Sequence, residues 1–120
     1  MRADETLSPL ARSPSEVGWE SLGLEGEAAT RTLIGADHSR TLGAGLARFE
    51  DITFEWEMDY DEVLYVIDGD VAVDYDGGSA RGRTGDVIYL PRGNAVTYRF
   101  VGRCQVFFAT YPVDWEHADG

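Results

Sequence analysis

The 120-residue chain contains no lysine, because all ten of its basic residues are arginines. The absence of a side-chain amine excludes Schiff-base catalysis, which needs a lysine nucleophile. It also excludes a phosphate-binding loop of the Walker type, whose lysine contacts the nucleotide phosphates. Any anionic ligand must therefore be bound by arginine, histidine or backbone amide groups.

Cysteine and histidine are also scarce. Cys104 is the only cysteine, so no disulfide can form within the chain. It lies in an apolar run, where we expect a small buried side chain rather than a nucleophile. The two histidines, His38 and His117, lack the spacing of a metal-binding pair. We expect His117 to be solvated. His38 lies in a polar loop, and we expect it to lie outside any functional site.

The chain has little positive charge: 22 acidic residues face ten basic ones, and the formal net charge is −12. Such a surface repels phosphate backbones and anionic lipids, so neither nucleic acid nor a membrane is an expected partner. Long hydrophobic runs are absent as well, and we expect a cytoplasmic protein without a signal peptide. With 43% hydrophobic residues, the chain fits one globular domain.

Short apolar runs separated by turn residues fill the chain from about residue 30 onward. They cover approximately residues 30–34, 42–49, 52–56, 62–67, 71–75, 86–90, 95–100 and 105–111. This spacing, with glycine at most boundaries, predicts an all-β sandwich or barrel. Glycine at Asp68-Gly69 and at residues 76–78 predicts tight hairpins, because glycine adopts positive φ angles. Helical periodicity is absent, apart from a short turn around residues 15–22.

Two glycine-bounded segments resemble the two motifs of the cupin superfamily. In the first, residues 56–69, six residues separate Glu62 from Gly69; in the second, Gly85 is followed by Pro91 and Gly93 at the cupin spacing. The resemblance implies a single-domain, jelly-roll β-barrel over residues 30–115. Residues 1–29 are then an N-terminal arm and first strand region, and residues 116–120 a C-terminal tail.

The histidines of the cupin motifs are missing from this chain. The two histidines of the first motif fall on Trp56 and Met58, and the histidine of the second falls on Val96. Of the ligand set implied by the family, only Glu62 remains. One carboxylate beside an indole and a thioether does not replace three imidazoles and a carboxylate. We therefore expect no metal and no other cofactor.

The residues around these motifs narrow the resemblance. The pattern Phe-x-Trp-x-Met-x-Tyr-Asp-Glu-Val over residues 54–63 is followed by Gly-Asp-Val-Ile-Tyr-Leu-Pro-Arg-Gly over 85–93 and by Thr-Tyr-Pro-x-Asp-Trp over 110–115. It is similar to the EutQ-type cupins of ethanolamine utilisation, in which Trp and Tyr-Asp-Glu replace the histidine motif. That resemblance implies ethanolamine catabolism and its microcompartments, and an acetate kinase role is attributed to members. Similar cupins also occur alone, so the pathway does not follow.

The family's ligand positions point into the barrel, and strand alternation extends this inward side. The expected inward residues are Trp56, Met58, Tyr60, Glu62, Leu64, Val66, Val96, Tyr98 and Phe100. A lumen of this kind suits a small organic ligand. We expect Glu62, with a raised pKa, and Tyr60 to be the catalytic acid and base. Contacts to the substrate are expected from Trp56, Met58, Tyr98 and Phe100.

Several alternatives stay open at this point. The inward side chains can also fill the barrel as a packed core, although a buried Glu62 then needs a partner or a proton. The function is either metal-independent isomerase or lyase chemistry, or non-catalytic binding as an accessory protein. An acetate kinase role is least favoured, because the arginines are dispersed and no phosphate loop exists. The family resemblance also implies a homodimer, in which residues before 30 add a strand to a partner's sheet.

Overall fold

The computed structural model of the protein describes residues 8–114, which form one antiparallel β-structure. A short 3-10 turn at Pro14–Glu16 precedes the strands. The strands are β1 (Glu20–Ser21), β2 (Glu27–Ile34), β3 (Gly43–Glu57), β4 (Asp61–Tyr75), β5 (Gly78–Arg83), β6 (Val87–Leu90) and β7 (Ala95–Tyr111). The all-β prediction is therefore confirmed. Among residues 8–114, no helix is long and apolar enough to cross a membrane.

Three long strands carry the fold, and sequence analysis divided each of them into two. β3, β4 and β7 are 15, 15 and 17 residues long, and each spans a pair of predicted runs. The hydrogen-bonded order is β1-β2-β3-β7-β4-β5, with β6 also paired to β4. We call residues 43–50, 61–66 and 103–111 with β2 and β6 the first half-sheet. Residues 52–57, 70–75 and 95–101 with β5 form the second half-sheet.

The three long strands bend at one level, between the two half-sheets. Asp51 and Gly102 have φ angles of 46° and 66°, and the Asp51 carboxylate accepts a 2.7 Å hydrogen bond from the Gly102 amide. Gly69 has a φ angle of 123° inside β4. A Cβ atom on Gly69 would lie 2.7 Å from the Cys104 Sγ atom, so no side chain fits at this position. We call these three residues the corner.

Two of the predicted turns have different outcomes. The prediction of a hairpin at Asp68-Gly69 is wrong, because these residues form a bulge within β4 and the strand continues beyond them. The predicted turn at residues 76–78 is confirmed, since Gly77 has a φ angle of 110° and joins β4 to β5. Glycine at a positive φ angle is thus compatible with both a turn and a bulge.

The strand limits differ from the apolar runs at β2, and β1 and β5 lie outside the predicted runs. β2 begins at Glu27 rather than at residue 30, and β1 lies inside the region predicted as the arm and first strand. Strand β5 was not predicted, because Gly78–Arg83 contains glycine, serine and arginine without apolar alternation. Pairing with β4 holds these residues in a strand, although their own sequence does not favour one.

The inward side chains of both half-sheets form one hydrophobic core. The predicted inward positions are confirmed, since all of them are buried except the half-buried Trp56. Val66, Val71 and Val73 of β4 are fully enclosed. Cys104 is also buried, as expected, and burial raises the pKa of its thiol, which disfavours the reactive thiolate. The core therefore continues past the corner from one half-sheet to the other.

Candidate functional site

A cavity of about 500 Å³ opens from the interior of the barrel to solvent. Its walls come from β1, β2, β3, β4 and β7, together with the segment that follows β7. Small inward residues on β3, Gly43 and Ala47, leave room for it; a Cβ atom on Gly43 would lie 2.8 Å from the Thr110 hydroxyl oxygen. Exposed residues, Glu20 and Asp114 among them, form the rim. The barrel is thus hollow rather than packed throughout.

Aromatic rings form one wall of the cavity. Phe49 and Phe100 are stacked with their centroids 3.7 Å apart, and Tyr98 lies 5.7 Å beyond Phe100. Phe54 is 5.2 Å from Tyr98 and meets the edge of Trp56 at 6.1 Å. Alternation along β3 and β7 places these side chains on the inward face, where they present a rigid apolar surface to a ligand.

Glu62 lies near the start of β4, between Leu90 of β6 and Thr110 of β7. Its side chain is only 8% exposed, and its Oε1 atom accepts a 2.8 Å hydrogen bond from the Tyr98 hydroxyl. Burial raises the pKa of Glu62 to about 7, while the hydrogen bond from Tyr98 opposes that shift. Near neutral pH the carboxyl group is therefore present in both protonation states, and it can donate or accept a proton.

Tyr98 supports Glu62 from the second half-sheet. Burial, followed by the neighbouring charge of Glu62, raises the pKa of Tyr98 far above its usual range, so its phenol keeps its proton. The Met58 Sδ atom lies 3.6 Å from the same hydroxyl. A phenol donates only one proton, and the shorter contact with the Glu62 carboxylate is the stronger bond. Tyr98 thus orients the carboxylate.

Tyr60 and Trp56 form a second polar pair at the cavity. β3 ends at Glu57 and β4 begins at Asp61, so Tyr60 lies in the short connection between them. The Trp56 indole nitrogen donates a 2.8 Å hydrogen bond to the Tyr60 hydroxyl. Tyr60 also contributes to the raised pKa of Tyr98, which places the two phenols in one electrostatic environment. The structure therefore brings both predicted catalytic residues, Tyr60 and Glu62, to the cavity wall.

The predicted substrate contacts divide into two groups. Trp56, Tyr98 and Phe100 line the cavity. Met58 does not: its side chain is 1% exposed and packs beneath the Tyr98 hydroxyl. The reason is that Met58 lies in the β3–β4 connection, where its amide donates to the Asn94 carbonyl and holds it below the surface. Its role is to support Tyr98.

Other lining residues had not been predicted. Thr110, opposite Glu62, is buried and lines the cavity; the alternation of the run at 105–111 was a usable signal for it. Glu20 and Leu22 come from segments without a strand pattern, and no sequence signal indicated them. Asp114 belongs to the Thr-Tyr-Pro-x-Asp-Trp pattern of the family resemblance, but no role in the site was expected of it. Trp115 and His117 lie outside the described residues. His38 contacts the Gly35 amide and Arg12, away from the lining.

The donor set does not fit the metal of the cupin family. Within residues 8–114, no group of three or more His, Cys, Asp or Glu side chains converges on a point. Of the positions that hold histidine in that family, Trp56 already donates to Tyr60, Met58 packs under Tyr98, and Val96 has no donor atom. Glu62 alone cannot supply the several ligands that a transition metal requires. No metal-dependent step follows from these residues.

The charged side chains among the described lining residues of the cavity are all acidic. Glu20, Glu62 and Asp114 belong to the lining, and the described lining residues include no arginine, lysine or histidine. Arg99 and Arg81 instead pair with Asp74 and Asp70 on the second half-sheet. The dispersed placement predicted for these arginines is consistent with this arrangement.

Comparison with known proteins places these observations in a family. Residues 23–117 match the family described as "Ethanolamine utilisation protein EutQ". The acetate kinase EutQ of Clostridioides difficile (strain 630) is 33% identical over 86 residues, which are 72% of this chain and 55% of that protein. The acetate kinase EutQ of Escherichia coli (strain K12) is 25% identical over 84 residues, which are 70% of this chain and 36% of that protein. The chain thus spans about half of the first relative and about a third of the second.

Solved structures give the same result for the fold. The Clostridium difficile EutQ protein superposes with a TM-score of 0.73 at 28% identity, covering 88% of this chain and 77% of that one. An RmlC-like cupin from Shewanella frigidimarina has a TM-score of 0.74 at 17% identity, covering 93% and 96%. KdgF from Halomonas sp. has a TM-score of 0.74 at 16% identity, covering 88% and 94%. The cupin fold is confirmed, and the chain belongs to the EutQ family.

Proposed function

We propose that the barrel binds a small organic molecule in its cavity and that Glu62 exchanges a proton with that molecule without a metal. The observation that carries the proposal is a carboxyl group at the cavity wall that is 8% exposed and bonded only to a phenol, Tyr98, among the contacts described for it. Its pKa near 7 keeps both protonation states available. The supported chemistry is an isomerase-type or lyase-type step.

The proton transfer follows from the two states of the carboxyl group. As the carboxylate, Glu62 removes a proton from a C–H or O–H group of the bound molecule. The electron pair of that bond then forms a new π bond, and either an existing π bond shifts along the molecule or a leaving group departs with its bonding electrons. In an isomerisation, the neutral Glu62 returns the proton to a different atom; in an elimination, the proton passes to the leaving group. Tyr98 keeps the carboxylate oriented, and the aromatic wall excludes water from the reacting atoms.

The charge of the cavity indicates the class of ligand. With Glu20, Glu62 and Asp114 in the lining and no basic side chain among the described lining residues, an anion would meet only like charges. An uncharged or positively charged molecule would not, and aromatic rings such as Trp56 and Phe100 also attract cations. We infer a neutral or cationic ligand of modest size.

Acetate kinase activity, the name given to the relatives, has less support in this chain. That reaction would require binding of acetate and of the phosphates of a nucleotide, both anionic. Arg81 and Arg99 of the second half-sheet are paired with aspartates, and the described residues of the cavity lining include no basic side chain. The relatives are also longer than this chain. Turnover of acetate with ATP by the purified protein would establish that activity and displace our proposal.

The first experiment is a ligand screen with three matched panels: small protonated amines, uncharged polyols and carbonyl compounds, and small carboxylates. Tryptophan fluorescence and thermal melting report binding, because Trp56, one of the three tryptophans of the chain, lines the cavity. We expect binders among the amines or the uncharged compounds. Binding confined to carboxylates would contradict the ligand class that we infer.

The second experiment measures proton exchange on the best binder in deuterated water, by mass spectrometry or NMR. We expect wild-type protein to incorporate deuterium, and Glu62→Gln to lower that rate by about 10²–10⁴-fold, as for other general acid–base groups. Glu55→Gln, on the exposed face of β3, is the matched control and should leave the rate unchanged. Tight binding without exchange in wild-type protein would reduce the function to binding alone.

A further inference from the structure

A buried hydroxyl group lies beside Glu62 on the cavity wall. The strand register aligns four inward residues across β3, β7, β4 and β6, which are Gly43, Thr110, Glu62 and Leu90 in that order. Thr110 is 6% exposed and lines the cavity, yet its hydroxyl makes no hydrogen bond within the described residues 8–114. Buried polar groups are nearly always hydrogen-bonded, to the protein or to a molecule bound beside them. The Thr110 hydroxyl therefore indicates a polar contact to the contents of the cavity.

Gly43 gives the cavity access to this hydroxyl. A Cβ atom on Gly43 would lie 2.8 Å from the Thr110 hydroxyl oxygen and 3.2 Å from the Val113 side chain. Two residues further along β3, the Phe108 ring takes up the equivalent space, because a Cβ atom on Gly45 would lie 2.8 Å from that ring. The space beside Gly43 is thus part of the cavity, and a ligand of sufficient length reaches Thr110 through it.

Thr110 and Glu62 lie close enough to contact one bound molecule. They are directly opposite each other on β7 and β4, and such residues have Cβ atoms about 4.5–5.5 Å apart. The hydrogen bond that Glu62 accepts at Oε1 comes from Tyr98, at 2.8 Å. The Thr110 hydroxyl is therefore available to the ligand. A molecule that contacts both side chains presents its two reacting groups on neighbouring atoms.

The chemistry of proton removal specifies what these two groups are. A carboxylate removes a proton from carbon readily only where the remaining electron pair is delocalised. The chain has no lysine that could form a Schiff base for this purpose. A carbonyl group of the ligand itself accepts the electron pair without any further component. A hydroxyl donor aimed at that oxygen stabilises the negative charge that develops there, and the Thr110 hydroxyl is such a donor.

We propose that the cavity takes an uncharged carbonyl compound, and that Thr110 donates a hydrogen bond to its carbonyl oxygen while Glu62 removes a proton from the adjacent carbon. The assignment rests on the proposed function and specifies its substrate class. The C–H electron pair forms a C=C bond, and the π electrons of the C=O bond move to the oxygen. Glu62 exchanges its proton with water and returns one to the carbon as the carbonyl group re-forms. The hydrogen on that carbon is thus replaced from solvent.

The test compares dihydroxyacetone with its reduced form, glycerol, in deuterated water, where NMR measures deuterium at carbon. We expect the protein to accelerate exchange in dihydroxyacetone and not in glycerol. Thr110→Val keeps the shape of the side chain and should lower the exchange rate about 10²-fold. Thr110→Ser keeps the hydroxyl and should retain most of the rate. Thr53→Val, on the exposed outer side of β3, is the matched control and should leave the rate unchanged.

Gly43→Ala tests access to the hydroxyl. Because its Cβ atom would press against Thr110, binding of dihydroxyacetone should weaken at least about tenfold, the effect of one extra methyl-sized group in a binding pocket. Gly18→Ala is the control, since a Cβ atom there meets nothing within 4 Å. Equal binding by Gly43→Ala and wild type would show that the ligand does not reach Thr110 and would overturn the assignment.

Circular dichroism melts verify that each variant is folded, and Thr110→Ala replaces Thr110→Val if the latter does not fold. Full exchange in Thr110→Val, or a loss that Thr110→Ser does not restore, would overturn the assignment. So would wild-type protein that exchanges neither dihydroxyacetone nor its longer homologue erythrulose. Exchange that depends on Glu62 but not on Thr110, or that occurs only in compounds without a carbonyl group, would leave the proposed function standing and remove this substrate class alone.

Discussion

The outer faces of the two half-sheets differ although the same three strands build both. On the second half-sheet, Arg99 contacts Asp74 through two hydrogen bonds of 2.8 and 3.0 Å, and Arg81 lies 3.4 Å from Asp70. On the first half-sheet, the exposed outward side chains of β4 and β6, which are Val63, Tyr65, Val87 and Tyr89, are uncharged. Inside, both half-sheets contribute alike to one core. This comparison indicates that backbone geometry determines where a side chain points, while the environment on that side determines which residue type is stable there.

The two half-sheets also hold carboxyl groups of opposite behaviour. Glu62, inside the first half-sheet, has a pKa raised by burial to about 7. Asp74, outside the second half-sheet, has a pKa lowered below its usual value, chiefly by its hydrogen bond from Arg99. One group is adapted to proton exchange near neutral pH and the other remains charged. Four predictions test this contrast and the corner that joins the two halves.

The largest effect is expected at the corner. Gly69→Ala adds a Cβ atom 2.7 Å from the Cys104 Sγ atom at a φ angle of 123°, so the free energy of unfolding should fall by about 3 kcal/mol or more. Gly77→Ala is the matched control, because its φ angle is 110° but the nearest atom to a Cβ is 3.9 Å away; about 1 kcal/mol is expected there. Urea denaturation measures both. Equal losses would show that backbone conformation alone, rather than the close approach, determines the effect.

The second effect is the pH dependence of stability. In the unfolded chain Glu62 ionises near pH 4.5, whereas in the folded chain it keeps its proton up to about pH 7. The folded state therefore binds more protons between these values, and the free energy of unfolding should fall as pH rises through this window, by up to about 3 kcal/mol. Glu62→Gln removes this dependence.

Denaturation of wild-type protein and Glu62→Gln at several pH values measures the difference, which should grow from pH 4.5 to about 7 and then stay constant. Asp74→Asn is the comparison on the other half-sheet, with the opposite sign. Its lowered pKa stabilises the fold above the unfolded-state pKa, and that contribution is lost as pH falls. A constant difference between wild type and Glu62→Gln across pH would show that Glu62 titrates normally.

A smaller effect is expected from Tyr98→Phe, which removes the donor to Glu62. Because that hydrogen bond opposes the effect of burial, the pKa of Glu62 should rise above its wild-type value. The loss of one buried hydrogen bond should also cost about 1 kcal/mol of unfolding free energy. NMR titration of the carboxyl carbon measures the pKa, and Tyr75→Phe on an exposed tyrosine is the control. An unchanged pKa of Glu62 would show that contacts other than the Tyr98 hydrogen bond determine the ionisation of this carboxyl group.

The smallest effect is expected at the exposed ion pair. Arg99→Gln removes the partner of Asp74, and both side chains are about 40% exposed in the wild type, at 42% and 41%. Solvent and salt screen such pairs, so the midpoint of thermal unfolding should change only slightly, and the change should diminish at high salt. NMR titration of Asp74 is the more sensitive measurement: its pKa should return toward the ordinary range. A large, salt-independent loss of stability would indicate that Arg99 has a packing role.

Sequence analysis predicted the parts of the molecule that depend on local pattern. The cupin resemblance implied which side of the strands faces inward, and alternation extended that side from Trp56 and Glu62 to the other inward positions. The raised pKa of Glu62 was expected from burial of a lone carboxyl group. The hydrogen-bond partner of Glu62 was harder to predict from the sequence. Tyr60, two residues away, was the expected companion. The hydrogen bond instead comes from Tyr98, which is paired with Val73 in the second half-sheet, far along β4 from Glu62.

The remaining differences have the same origin. Gly69 was read as a turn because a bulge and a hairpin both use glycine at positive φ, and only the continued pairing of β4 distinguishes them. The rim residues Glu20 and Asp114 reach the cavity because β1 and the segment after β7 fold across its mouth. Such long-range placement leaves no periodic signal in the residues themselves.

Strand β4 shows how one stretch of chain can serve two purposes without compromise. In residues 62–67 the even positions face the cavity and core, while the odd positions, Val63, Tyr65 and Ile67, face outward. A substitution at an odd position leaves the composition of the interior unchanged, and one at an even position leaves the exterior unchanged. The inner and outer surfaces of this strand can thus be changed separately, although both are encoded in the same six residues.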